Sequence, residues 1–133
     1  MSKQLYIKNV KGKGRGVFCK QTIAKDEIFE IAPVIVLPAQ DYNTATASAL
    51  CDYFFNFNKE EGTLALALGF GSLYNHAVHS NAAYSLDREN KTMQYYALEE
   101  IKPGTEICIN YGGESGKEYK EWFESRNIIF KEN

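Results

Sequence analysis

KGKGRG, at positions 11–16, lies between QLYIKNV, in which apolar and polar residues alternate, and VFCKQTI, which reads as a resuming strand. Three glycines in six residues permit turn conformations that a β-carbon would resist. Two strands joined by such a turn make a ribbon, with QLYIKNV as a short edge strand, so the chain is expected to build with β-structure from its first residues. The next apolar segment, EIFEIAPVIVLP, follows a turn at AKDE and is rich in β-branched residues. Pro33 within it requires an edge position, a bulge or a break.

The segment AQDYNTATASALCDYFFNFNKEEG mixes alanines with threonines and asparagines, whose side chains compete for backbone hydrogen bonds. It reads as an irregular insert with one short helix and then a strand at CDYFFNF. TLALALGF is compatible with a buried strand or a short helix. NAAYSLD and TMQYYAL flank RENK as a hairpin, and Lys102-Pro103-Gly104 supplies a turn before TEICINY. The period changes only at the end: Ser115 and Glu118 have capping-box spacing, and Tyr119, Trp122 and Phe123 share one face of a short helix.

A length of 133 residues suits one domain with one core. A formal net charge of −2 gives no broad field for nucleic acid, which is held by clustered lysine and arginine, so no direct nucleic-acid specificity is expected. No window approaches eighteen apolar residues, and MSKQLYIKNV lacks the apolar core and cleavage site of a signal peptide. The expectation is an intracellular, cytoplasmic protein without a membrane role; a nuclear or host-targeted location stays open. Cys19, Cys51 and Cys108 are odd in number, far apart and in apolar or aromatic contexts, which reads as buried free thiols in a reducing compartment.

GSLYNHAVHSN, from Gly71 to Asn81, contains both histidines. His76 and His79 are three residues apart, but the flanking glycine, asparagines and serines indicate a loop. Neither HExxH nor paired CxxC occurs, so a metal site lacks ligands. No GxSxG elbow marks a serine nucleophile. KGKGRG has neither the spacing of a dinucleotide fingerprint nor the Lys-Ser or Lys-Thr of a phosphate loop. Taken alone, His76 reads as a structural residue satisfying buried backbone groups, and His79 as an exposed or peripheral one.

The ordered set is more specific than its parts. KGKGRGVFC, GSLYNHAVHSNAAY and LEEIKPGTEICINYGG resemble, in order and spacing, the SET-domain protein-lysine methyltransferases, and the likeness extends from about Leu5 to Gly113. The resemblance implies a mostly β, β-clip-like fold of small sheets with a threaded C-terminal segment and a short terminal helix. It divides the single domain 1–133 into an N-terminal SET portion 5–38, a variable insert 39–62, a C-terminal SET portion 63–113 and a helical tail 114–133. It implies S-adenosyl-L-methionine as cofactor, S-adenosyl-L-homocysteine as product, and a lysine-bearing protein as substrate, histone-like or ribosomal.

By the same resemblance, Lys13, Gly14, Arg15 and Gly16 lie beside the cofactor, and Asn75 and His76 contact it, His76 as a scaffold and not a base. Tyr111 and Tyr84 are the implied catalytic residues, with the Tyr111 hydroxyl aimed at the methyl-transfer site and also facing the cofactor. Asn81 matches the family's second asparagine, and Glu106 a mostly structural glutamate. Trp122 is expected to cover the cofactor, while Tyr53, Tyr84 and Phe123 line the substrate channel; the alternatives are a packed Tyr53 and an aromatic tail face that closes the core. Ala77, Val78 and Ser80 depart from the common pattern, and the missing cysteine at Val78 agrees with the absence of a C-terminal cysteine cluster, so no metal is expected. Ala32 stands near a position where many relatives carry a channel tyrosine, and Asn110 where aspartate is common. The alternative is a weakly catalytic or non-catalytic interaction module that retains the cofactor pocket. Both a homodimer and a monomer fit a domain of this size.

Overall fold

A computed structural model describes residues 4–111. The implied helix and the aromatic residues Tyr119, Trp122 and Phe123 lie outside the described residues. The strands form two sheets. The first has strand order β1-β2-β9-β6, with β1 Leu5–Val10, β2 Gly14–Cys19, β6 Asn75–His76 and β9 Glu106–Ile109. The second has order β4-β5-β3-β8-β7, with β3 Ile28–Leu37, β4 Phe54–Asn58, β5 Thr63–Ala67, β7 Ala82–Asp87 and β8 Thr92–Ala97.

The glycine-bearing turn is tighter than its six letters suggest. Lys13 N–H closes it onto the Val10 carbonyl at 3.1 Å, and β2 already begins at Gly14. β1 is at the sheet edge, as expected for QLYIKNV. Gly16, Val17, Phe18 and Cys19 are buried in succession and the two-residue alternation is lost, because Val17 and Cys19 face the core while Phe18, on the other face, is covered by the Tyr6 ring and Lys8.

Pro33 is accommodated by a change of partner. Residues Ile28 to Pro33 pair with β8, whereas Val34 to Leu37 pair with β5, so the proline sits where one ladder ends and the other begins. Its missing N–H costs no ladder bond there, and its carbonyl accepts the Leu68 N–H at 2.9 Å. A bulge does occur in β3, but between Ile28 and Glu30. TLALALGF resolves as strand β5, and the insert contains a 3-10 turn Ala39–Asp41 and one short helix α1 Tyr42–Thr46 before β4. The RENK hairpin forms as expected, with Asp87 accepting the Asn90 N–H at 3.0 Å.

Between the sheets lies one main core that includes Val17, Ile23, Phe29, Tyr74, Met93, Tyr95, Ile101, Ile107 and Ile109. β9 slots between β2, to which it is antiparallel, and β6, to which it is parallel. This insertion of a late strand between two earlier ones corresponds to the threaded segment implied by the resemblance. Asn81 fastens it: its Nδ2 donates to the Glu106 carbonyl and its Oδ1 accepts the Cys108 N–H, each at 2.9 Å. Among the described residues no helix is long and apolar enough to cross a membrane.

Candidate functional site

β2 and β6 bring together two segments that are about sixty residues apart in sequence. Asn75 Nδ2 donates to the Arg15 carbonyl at 2.9 Å and to Glu106 Oε2 at 2.6 Å. Lys13 Nζ stands 3.9 Å from the other oxygen of Glu106. Gly16 is required for this contact, because an added β-carbon would lie 2.5 Å from Glu106 Oε2 and 2.7 Å from Val10 Cγ2. Gly14 is different: its φ is +79°, which disfavours a side chain, yet space around it is open. The result is an exposed backbone edge beside a fixed carboxamide and carboxylate.

His76 follows directly. Its Nδ1 accepts the Tyr111 N–H at 3.0 Å, and the two rings lie 5.2 Å apart. Burial, and secondarily the Lys13 charge, lowers the imidazole pKa to about 4, so the ring is neutral at physiological pH. His79 is exposed and belongs to no such contact network in the described site.

Tyr111 joins this segment to a cavity of about 630 Å³ on the side of the second sheet. Tyr53, Phe55, Ser72, Tyr74, Tyr84 and Tyr111 form the wall that matters here. Tyr84 donates its hydroxyl to the Tyr111 carbonyl at 3.3 Å, while the Tyr111 hydroxyl donates to the Tyr74 carbonyl at 2.6 Å. Burial, followed by the neighbouring Cys108 and Glu106, raises the Tyr111 pKa above the ordinary phenol value. The phenol is thus held protonated across neutral pH. The fold therefore gathers Tyr53, Tyr84 and Tyr111 around one cavity, and Lys13 to Gly16 with Asn75 and His76 on the adjoining edge; Trp122 and Phe123 fall outside the described residues.

Ala32 is buried in the core opposite Met93, itself a cavity-lining residue. A second group of residues belongs to none of the motifs. Glu30 accepts the Tyr74 hydroxyl at 2.5 Å and the Phe70 N–H at 2.9 Å, and Tyr95 donates to the Gly71 carbonyl at 2.8 Å. Burial raises the Glu30 carboxyl pKa against the opposing effect of those two hydrogen bonds. These bonds hold the segment that ends in the Tyr74 carbonyl. The available signal was phase: Glu30 lies in register with Ala32 and Val34, the buried face of β3.

Cys19 and Cys108 are buried and Cys51 only half-buried, all as free thiols. Burial raises the Cys108 thiol to about 12, which leaves it poorly nucleophilic. Among the described residues no three His, Cys, Asp or Glu side chains gather as a metal site.

Residues 14–112 match the SET domain family model. A Schizosaccharomyces pombe histone-lysine N-methyltransferase, H3 lysine-37 specific, is 38% identical over 109 residues, which span 81% of this chain and 73% of that protein. The crystal structure of a Plasmodium falciparum protein assigned as a histone methyltransferase superposes with a TM-score of 0.67 at 32% identity, covering 84% of this chain and 96% of the other. A Neurospora SET-domain histone lysine methyltransferase shares the fold, with a TM-score of 0.63 at 19% identity over 80% of this chain and 51% of that one. Because the family match runs from the glycine-bearing strand through the Tyr111 segment, the chain belongs to the SET-domain family of protein-lysine methyltransferases.

Proposed function

We propose that this chain methylates a lysine of a histone-class protein, with Tyr111 and Tyr84 as catalytic residues and S-adenosyl-L-methionine held by Lys13, Gly14, Arg15, Gly16, Asn75 and His76. The residues present fit that group: the backbone at Gly14 is open, Asn75 ties the Arg15 backbone into place, and the neutral His76 adds no cation beside a sulfonium. When bound, S-adenosyl-L-methionine supplies an electrophilic methyl group and leaves as S-adenosyl-L-homocysteine.

The chain's own part is positioning. Tyr53 and Tyr84 offer an aromatic wall to the aliphatic stem of the lysine. Such a wall disfavours the ammonium and favours the neutral amine, which alone has the lone pair needed for attack. Tyr111 commits its proton to the Tyr74 carbonyl, which leaves its oxygen as an acceptor towards the amine and the polarised methyl group. Since burial keeps that phenol protonated, it serves as an electrostatic and orienting group and not as a base. Proton loss from the substrate is assigned to solvent before docking.

The observation that carries this reading is that one residue, Tyr111, touches His76, Tyr74 and Tyr84 at once while lining the cavity. The histone class is supported by the relative's stated specificity and calls for action where histones are found, which removes the support for a cytoplasmic home. The test is incubation with labelled cofactor and either histones or a whole protein extract, beside Tyr111→Phe, with methyl groups located by mass spectrometry. Tyr111→Phe should lower kcat by about 100-fold or more, the size typical of one lost electrostatic contact, while binding the cofactor within a few-fold of the parent. Absence of Tyr111-dependent lysine methylation in a folded, cofactor-binding protein would favour the interaction-module alternative.

A further inference from the structure

The net charge of −2 conceals a segregation. Residues 1–25 contain seven cations and no Asp or Glu, whereas the other 108 residues hold eight cations against seventeen acids. Most of that positive charge is carried by the β1–β2 hairpin. We propose that this hairpin docks on the phosphate backbone of double-stranded DNA, independently of sequence and outside the methyl-transfer cavity.

Strand pairing puts Lys8 and Lys20 on one face. Lys8 is opposite Gly16 and Tyr6 opposite Phe18, and the Lys20 N–H continues the ladder onto the Gln4 carbonyl. Both ammonium groups are held over rings, Lys8 Nζ 4.4 Å from the Phe18 centroid and Lys20 Nζ 5.9 Å from that of Tyr6. The rings are themselves stacked, 5.7 Å apart. This support limits the freedom of two side chains that would otherwise lose rotamer entropy on docking. Lys11, in the turn after β1, adds a third exposed cation beyond the end of the paired strands. Lys8, Lys11 and Lys20 are all exposed, and among the described residues the ion pair recorded for this hairpin is that of Lys13 with Glu106.

At about 3.3 Å per strand residue, Lys20, opposite Gln4, and Lys8 stand roughly 13 Å apart along the ribbon, with Lys11 beyond the strand end at Val10. One DNA strand presents a charge about every 3.4 Å along the helix axis, so several phosphates fall within reach of these lysines. Two other anionic partners fit less well. Phe18 is 5% exposed and lies under Lys8, so it has no free face for an unpaired base to stack on. The turn tip carries lysine and glycine and no apolar residue to enter a membrane. The acidic remainder of the chain repels a polyanion and directs its approach to the hairpin.

Fluorescence anisotropy with two unrelated 20-base-pair duplexes, between 50 and 200 mM salt, tests this without cofactor or protein substrate. Failure therefore leaves the methyl-transfer reading untouched. Three lysine contacts should give a slope of log K against log salt of about −3, the same for both sequences. The triple variant Lys8→Gln, Lys11→Gln, Lys20→Gln, checked for an unchanged circular dichroism spectrum and Tm, should bring the slope near zero. Its affinity at 50 mM salt should fall by about 100-fold or more, and Lys91→Gln with Lys102→Gln should change neither quantity. The proposal is overturned if the duplexes do not bind at 50 mM salt, or if the triple variant binds like the parent. Equal or tighter binding of the hairpin to single strands or to anionic vesicles would likewise overturn the assignment to duplex DNA.

Discussion

Asn81 is the residue whose removal should most directly loosen β9 and, through it, Tyr111. Its carboxamide satisfies two backbone groups of one strand, the Glu106 carbonyl and the Cys108 N–H, both at 2.9 Å. A hydrogen bond of this kind contributes roughly 1 kcal/mol net, and leaving a buried partner unsatisfied adds roughly 1–3 kcal/mol. Water will reach part of this half-buried position, so Asn81→Ala is expected to cost about 3 kcal/mol. With an unfolding entropy of about 2.1 cal/mol/K per residue, that is a Tm drop of about 10 °C for a chain of this length. Asn81→Asp separates the two bonds. The carboxylate still accepts from Cys108 but opposes the Glu106 carbonyl with a second oxygen, so at neutral pH the variant should be no more stable than alanine. Repulsion raises the folded-state pKa of that new carboxyl, and a protonated carboxyl can donate to the carbonyl. The aspartate variant should therefore gain stability relative to the parent as the pH falls, whereas the alanine variant should not. Thermal melts of all three proteins between pH 4 and 8 provide the measurement. An Asn81→Ala cost below about 0.5 kcal/mol, the range of ordinary surface substitutions, would refute the claim that this side chain fastens β9.

Three further outcomes are expected. Glu30→Gln keeps one acceptor oxygen and sets its amide NH₂ against one of the two donors, the Tyr74 hydroxyl or the Phe70 N–H, and should lower both Tm and kcat by loosening the Tyr74 carbonyl under Tyr111; thermal melts and initial rates check this, and Tyr74→Phe should reproduce part of the loss. Gly16→Ala, which collides with Glu106 and Val10, should weaken cofactor binding by about tenfold or more by calorimetry; an interaction displaced by a kilocalorie or two has this effect, and Gly14→Ala should instead show the smaller effect of backbone strain in open space. His76 has its folded-state pKa depressed to about 4, below the ordinary value of 6.5, so burial of the neutral ring contributes stability in full above about 6.5 that declines as the pH falls towards 4. Denaturant titrations across that window should show less acid sensitivity for His76→Gln, and a parent with no such difference from the variant would contradict a buried neutral imidazole.

The strands were readable because their signals are local. Turn residues bound QLYIKNV, NAAYSLD and TMQYYAL, and each forms where its alternation or β-branched content predicts, whereas VFCKQTI is a strand only as far as Cys19. TLALALGF stayed ambiguous because a short apolar run has no period of its own; it becomes a strand only through pairing with β3 and β4. Pro33 illustrates the same limit. A proline in a strand announces that some ladder bond is absent, but only the paired structure reveals that β3 changes partner there.

The site divides along the same line. Asn75, His76 and Tyr111 belong to compact motifs, so their gathering could be expected from the ordered set of motifs. Glu30, Tyr74 and Tyr95 carry no motif, because their relation exists only across the fold: Glu30 is forty residues from the Phe70 N–H that it accepts and forty-four from the Tyr74 hydroxyl. Their joint effect is to hold a backbone carbonyl, a group with no residue identity at all, where the Tyr111 hydroxyl meets it. A motif can name the side chain that faces the substrate, but the atom that aims this side chain is part of the peptide chain itself. Its position depends on how well β3, the 69–74 segment and β8 pack. Substitutions at Glu30 or Tyr95 should for that reason behave as activity variants although neither residue has a place in the motifs.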